Sequence, residues 1–219
     1  MNNKKYIIIG VSLLVLILIG FYAGYILSEP KINSILNEEE VLSVKEKLSA
    51  AENYLSESID SGDQAQIFDA YMAVGVQRRL LGDYRGAMSA YEFASNYNVN
   101  NLPHPYTGMY SVASSAGKWN KALNSLEKAI ALDELNTDYH IWKLEILEEK
   151  TKASNDTLME EYEKAIDSVV TKDILKLNYS EFLERISNKE KALEILKSID
   201  TESFEDGEFI EDKIEELSK

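Results

Sequence analysis

The residues that could perform acid–base or metal chemistry are few and scattered. The two histidines, His104 and His140, lie 36 residues apart, and a metal site at either would need further ligands in coordinated geometry. Glu145, Glu148 and Glu149 could form a pair of catalytic carboxylates, but their spacing also suits the solvated face of a helix. The chain contains no cysteine, which excludes thiol nucleophiles, cysteine–metal frameworks and disulfide bonds.

Catalytic and nucleotide-binding motifs are also missing. The sequence has no H-E-x-x-H zinc motif, no phosphate-binding loop, no dinucleotide fingerprint and no G-x-S-x-G turn. We therefore predict a protein that is not an enzyme and has no cofactor, metal or small-molecule substrate. Two glycosylation sequons occur, Asn155-Asp156-Thr157 in a predicted loop and Asn178-Tyr179-Ser180 in a predicted helix. The first is usable if the organism glycosylates exported proteins, and we interpret the second as coincidence.

Acidic residues dominate the charge of the chain. Its 38 Asp and Glu residues outnumber its 23 Lys and Arg residues, which gives a formal net charge of -15 at pH 7. Such a surface repels the phosphates of nucleic acids and anionic lipid headgroups, so nucleic acid is excluded as a partner. The hydrophobic content of 45% is enough for a folded core.

The amino-terminal segment predicts a membrane anchor. Residues 6–27 contain no charged side chain, and as a helix they would extend roughly 33 Å, enough to cross a bilayer core. Lys4 and Lys5 precede them, which favours a cytoplasmic amino terminus and an extracytoplasmic position for the bulk of the chain. The alternative is a signal peptide cleaved after Ser28, although the apolar core of a signal peptide is ordinarily shorter, about 7–15 residues.

The stretch 68–99 reads as two amphipathic helices joined by a tight turn. Apolar and small residues recur at spacings of three and four on both sides of the turn. Gly82 ends the first helix, because glycine adopts the left-handed cap conformation without strain, and Asp83 caps the second. Small side chains at Gly75 and Ala87 allow the two helices to approach closely.

This pattern resembles a tetratricopeptide repeat (TPR): an aromatic residue, an apolar residue with glycine, the turn Gly82-Asp83-Tyr84, then Ala-x3-Tyr-x2-Ala. A second copy follows 35 residues later, with Gly117-Lys118-Trp119 as its turn. Two weaker copies come next, one with a longer loop at 151–156 and one with a turn at 187–189 that lacks glycine. The resemblance implies an all-α fold: one transmembrane helix, then a TPR-like solenoid of helical hairpins with a carboxy-terminal capping helix.

Nine segments follow from these patterns. Residues 38–60 form a helix that Asn37 should cap, either the second half of a degenerate repeat or a stalk, and we expect it to pack on the solenoid. The predicted segments are a cytoplasmic amino terminus at 1–5, a transmembrane helix at 6–27, a linker at 28–37, the packing helix at 38–60, repeats at 68–101, 102–135, 136–170 and 171–203, and a capping helix at 205–219.

In the repeat family that the sequence resembles, the first helices line a concave groove that binds protein partners. Carrying this register onto the chain implies a partner-binding groove formed by Met72, Val76, Arg79, Thr107, Ser111, Ile141, Glu145, Glu148, Ile174, Leu177, Glu181 and Glu184. The carboxy-terminal half of this set combines apolar side chains with carboxylates. It suits a basic or amphipathic segment of a protein partner, unless the carboxylates serve only solubility.

Two classes of non-enzymatic function fit this organisation. The first is a protein–protein interaction module, such as a scaffold, adaptor or chaperone-like factor, that one helix anchors at the outer face of a cytoplasmic membrane. The second is a permanent structural subunit of a secretion or envelope-assembly apparatus. The sequence predicts neither the identity of the partner nor the oligomeric state.

Overall fold

A computed structural model describes residues 36–202, 204 and 207–219 of the chain. These residues form ten α-helices and no strand. The helices are α1 (Glu38–Ser61), α2 (Gln64–Leu80), α3 (Tyr84–Asn96), α4 (His104–Ser115), α5 (Trp119–Leu132), α6 (Thr137–Glu145), α7 (Asn155–Ser168), α8 (Asp173–Arg185), α9 (Lys189–Lys197) and α10 (Gly207–Leu217). A π-helical turn, Ile146–Lys150, continues α6.

Helix α1 begins and ends with strong caps. The Asn37 side chain accepts a hydrogen bond from the Glu40 amide at 3.0 Å, and the Glu40 carboxylate accepts one from the Asn37 amide at 2.8 Å. The predicted cap at Asn37 is thereby confirmed. Gly62 ends the helix with a φ of 74°. One face of α1 packs on α2, with Ala51 contacting Val74 in a small apolar cluster.

The turns within the helix pairs follow the sequence closely. Gly82 has a φ of 77° and Gly117 a φ of 66°, so both occupy the left-handed region that favours glycine. The Asp83 side chain accepts a hydrogen bond from the Gly86 amide at 2.8 Å, which confirms it as the cap of α3. In the turn without glycine, Ser187 adopts a φ of 64° and so takes the same conformation at a steric cost.

Small and aromatic side chains fill the space between neighbouring helices. Ala87 and Ala94 of α3 and Ala122 and Ala129 of α5 are fully buried, which agrees with close approach within each pair. The buried ring of Tyr91 lies against glycines of two different helices, α2 and α4. Alanines thus set the distance within a pair, while one tyrosine joins two successive pairs.

Several helix ends differ from the sequence-based expectation. Helix α2 begins at Gln64, because the Asp63 side chain caps its first turn. The loop predicted at 151–156 ends two residues earlier, because the Ser154 hydroxyl caps α7 and the helix begins at Asn155. The first sequon therefore begins a helix instead of lying in a loop.

The predicted anchor at 6–27 lies outside the described residues. Among the helices that the structure does describe, none combines the length and the apolar character needed to cross a membrane.

Candidate functional site

The first helices of the pairs lie side by side and form a continuous face. The rings of Tyr110 in α4 and Trp142 in α6 stack with their centroids 5.2 Å apart. Glu148, which follows α6, pairs with Arg185 at the end of α8. Helix α8 in turn contacts α10 through Lys213. We refer to this surface, formed by α2, α4, α6 and α8, as the first-helix face.

At the amino-terminal end of this face, the predicted groove residues are half-buried. Met72 and Val76 pack against the apolar cluster that includes Tyr91. The Arg79 side chain lies close to that of Tyr91. Burial raises the pKa of Tyr91, and the nearby positive charge of Arg79 partly offsets this rise. This end of the face is therefore occupied by side chains that also stabilise the fold.

The middle of the face carries hydroxyl groups. Thr107 donates a hydrogen bond to the His104 carbonyl oxygen within α4 at 3.0 Å, and Ser111 lies one turn further along the same helix. Beside them, Tyr110 lies one turn before Ser114 on the same helix. Burial raises the pKa of Tyr110, and the nearby Glu145 carboxylate raises it further.

The four predicted carboxylates lie at the carboxy-terminal end of the face. Three of them, Glu148, Glu181 and Glu145, are close enough to the Tyr162 hydroxyl to raise its pKa. Burial is the largest cause, and together these effects bring the pKa of Tyr162 to about 12. The structure thus brings together carboxylates that lie up to 36 residues apart in the sequence.

Basic side chains neutralise much of this acidic cluster. Arg185 pairs with Glu148, while Lys213 lies 2.9 Å from Glu184 and 3.7 Å from Glu181. Glu145 is exposed and has no ion-pair partner within the described part of the chain. Burial raises the pKa of Glu145, as does the neighbouring Glu149, while Lys150 lowers it. The net negative charge of the face is therefore smaller than the sequence suggests.

The three predicted apolar anchors differ in their contacts. Leu177 packs against the cluster formed by Leu196, Ile199 and Ile210, so α10 already covers part of it. Ile141 packs against the core around Tyr162. Ile174 is half-buried and belongs to none of the apolar clusters of the described residues. Ile174 is therefore the apolar side chain of the face that is most available to a ligand.

The residues considered for chemistry do not converge. His104 is exposed at the start of α4, whereas His140 is buried with its Nε2 atom 2.9 Å from the Glu134 carbonyl oxygen. Glu149 pairs with Lys150 at 2.9 Å. Within the residues that the structure describes, no three histidine, cysteine or acidic side chains are placed to hold a metal ion.

Sequence reasoning missed one feature, a cleft between α3 and α5 on the side formed by the second helices. Its walls carry Lys121 and Lys128 of α5, and Lys118 precedes this helix as its N-cap residue. The spacing of these lysines, three and then seven residues, was visible in the sequence. Only the packing of α3 beside α5 shows that Lys121 and Lys128 border a cavity.

Solved structures resemble the chain in fold, whereas no protein-family profile and no curated protein sequence matches it. The crystal structure of MamA gives a TM-score of 0.52 at 14% identity, covering 83% of this chain and 98% of MamA. That of BtubC (BKLC) from P. vanneervenii gives 0.52 at 14% identity, covering 75% and 76%. YrrB, described as a TPR protein with an unusual peptide-binding site, gives 0.49 at 19% identity, covering 73% and 77%. At 14% identity the likeness to MamA and BtubC is one of fold, and with the helix pairs described above the chain is an all-α, TPR-like helical solenoid.

Proposed function

We propose that the chain is a membrane-anchored interaction module whose first-helix face binds a basic or amphipathic segment of another protein. The observation that carries this proposal is that the first-helix face presents both an available apolar side chain, Ile174 at the start of α8, and an exposed carboxylate, Glu145 at the end of α6. An apolar anchor and an acidic rim on one face are complementary to a segment that presents an apolar residue together with lysine or arginine.

We further propose that residues 6–27 anchor this module at the outer face of a cytoplasmic membrane, with Lys4 and Lys5 on the inner side. Protease added to intact spheroplasts should then digest the chain beyond residue 28. Protection in intact spheroplasts followed by digestion only after lysis would contradict this topology.

Binding kinetics test the proposed surface directly. The probe is a short helical peptide of lysine and leucine, and the protein is the full chain in detergent. Glu145→Lys combined with Glu181→Lys should slow association and flatten its dependence on salt, because electrostatic attraction mainly sets the association rate. Ile174→Ala should instead raise the dissociation rate and leave the salt dependence unchanged.

The matched control reverses two carboxylates outside this face. Glu160 in α7 and Glu194 in α9 are exposed and have no ion-pair partner among the described residues, so Glu160→Lys with Glu194→Lys changes the net charge equally. This control should bind nearly as the parent does. Equal losses in both double variants would show that only the net charge matters, and the first-helix face would not be the binding surface.

Capture from solubilised membranes tests the function in the cell. A variable set of proteins that share basic, amphipathic segments would support an interaction module. A fixed set of proteins in constant stoichiometry would instead indicate a permanent structural subunit of an envelope apparatus.

A further inference from the structure

A cleft between α3 and α5 is lined mainly by residues of these two second helices. A cavity of about 350 Å³ has Met88, Tyr106 and Met109 among its lining residues, with Lys121 and Lys128 in its α5 wall. A second depression of about 450 Å³ shares Lys121 with the first and extends to Trp119 and Lys150. We refer to the two together as the lysine cleft.

The lysines of the cleft are held over aromatic rings. The Nζ atom of Lys121 lies 5.9 Å from the centroid of the Tyr84 ring, and that of Lys128 lies 5.7 Å from the Tyr106 ring. Such contacts attract the ammonium group to the ring face without using its N–H donors in a conventional hydrogen bond. The lysines are thereby positioned while their donors stay available to an anion.

These lysines are also unpaired, as are several exposed lysines elsewhere among the described residues, such as Lys45 and Lys47. The chain has a net charge of -15, yet in the described ranges no carboxylate lies within ion-pair distance of Lys118, Lys121 or Lys128. Glu92, on the α3 side, is the acidic residue that lines the first cavity. Lys121 and Lys128 are separated by about 10 Å along α5, the rise of seven helical residues, and Lys118 is the N-cap residue of that helix.

The neighbouring cleft, between α5 and α7, provides an internal comparison. Its cavity of about 280 Å³ has two acidic and two basic side chains in its lining. Lys143 and Glu161 already pair with each other there. The other two charged residues of the lining, Glu127 and Lys164, carry opposite charges, so the lining has no net charge. The positive charge of the lysine cleft is therefore not a general property of the second-helix side.

We propose that the lysine cleft binds an acidic peptide segment of a partner protein. Carboxylates of the segment meet Lys121 and Lys128, and an apolar side chain of the segment enters the cavity that Met88, Tyr106 and Met109 line. The length of the lysine row and the apolar residues in the lining match a peptide better than a small anion. Lys121 and Lys128 lie on α5, whereas Glu145 and Glu181 lie on α6 and α8, so segments of opposite charge meet different side chains.

Fluorescence anisotropy with a labelled helical peptide of glutamate and leucine tests the proposal on the full chain in detergent. Lys121→Glu with Lys128→Glu should weaken binding at least about tenfold and flatten its salt dependence. Lys121→Arg with Lys128→Arg should keep binding close to that of the parent. The matched control, Lys45→Glu with Lys47→Glu, reverses two exposed lysines of α1 and should weaken binding by less than about twofold.

Four results would overturn the proposal. The first is failure of the parent to bind the acidic peptide, and the second is an equal loss in the control. The third is a salt-sensitive dimer of the parent that Lys121→Glu with Lys128→Glu abolishes, which would make a second copy the occupant. The fourth is binding of single-stranded RNA as tight as that of the peptide. Lys121→Glu with Lys128→Glu should bind the basic peptide of lysine and leucine as the parent does. Unchanged binding shows that the variant is folded, and it keeps the test of the lysine cleft separate from the test of the proposed function.

Discussion

The ring of Tyr91 lies directly against the backbone of Gly75. A Cβ atom built on Gly75 would lie 2.7 Å from Cε1 of Tyr91, and one on Gly108 would lie 2.6 Å from the same atom. The ring is only 2% exposed and is held between α2 and α4. It therefore has no space into which to move when either glycine gains a side chain.

We expect Gly75→Ala and Gly108→Ala each to destabilise the chain by about 1–3 kcal/mol, the usual cost of overpacking. In a helix interior without such a contact, replacing glycine with alanine would stabilise the chain by up to about 1 kcal/mol. The sign of the measured change in unfolding free energy therefore distinguishes overpacking from helix propensity. Urea unfolding followed by circular dichroism measures the effect. Ser49→Ala at an exposed position of α1 is the control, and a raised stability of Gly75→Ala would contradict the packing described.

Lys213 should weaken the acidic character of the first-helix face. We expect Lys213→Gln to strengthen binding of a basic peptide and to steepen its salt dependence, because Glu181 and Glu184 lose their cation. The free energy of unfolding should fall by less than about 1 kcal/mol, since these pairs are partly exposed. Peptide association rates at several salt concentrations provide the measurement.

The control for Lys213 is Lys219→Gln, which removes the same charge from a pair with Glu215 on the exposed end of α10. It should leave peptide binding unchanged. A similar gain in affinity from both variants would mean that net charge, not release of the two carboxylates, controls binding.

Tyr162 should make the fold sensitive to alkaline pH. Its pKa in the folded chain is raised from 10.0 to about 12, mainly by burial, so the unfolded chain releases this proton first. The stabilisation is fully present below pH 10 and is lost as pH rises towards 12. We expect Tyr162→Phe to reduce the decline in unfolding free energy between these pH values. The same change at the partly exposed Tyr54 is the control, and equal effects would contradict the assignment.

The turn at Ser187 should be improved by glycine. Its φ of 64° is costly for serine, so Ser187→Gly should stabilise the chain by about 0.5 kcal/mol after the added freedom of the unfolded chain is subtracted. The reciprocal change, Gly117→Ser, should destabilise it by about 1 kcal/mol. Thermal unfolding compares the two directly, and a shift of the same sign in both would rule out the backbone explanation.

Much of the fold could be predicted from the sequence because its signals are local. The apolar spacing within 68–99, the glycine at Gly82 and the capping side chain of Asp83 each act over a few residues. The register then repeats, so that Ala122 and Ala129 could be assigned by analogy with Ala87 and Ala94.

The site was predicted less well because it depends on pairs of side chains that are distant in the sequence. Arg185 and Lys213 neutralise carboxylates that the repeat register places together, and no local pattern indicates these pairs. Leu177 belongs to an apolar face of α8, but whether a partner or α10 covers it is decided by packing. The membrane anchor remains a prediction.

The π-helical turn Ile146–Lys150 has a consequence for recombining the repeats. The Thr151 amide donates to the Ile146 carbonyl oxygen at 3.0 Å, so the wider turn takes up extra length inside the helix and not in the loop after it. In the other pairs, a chimaera can be joined directly after the first helix. A junction directly after α6 would separate the π-helical turn from the helix that it continues. Exchange of the third pair with another solenoid should therefore transfer residues 137–150 as a single block.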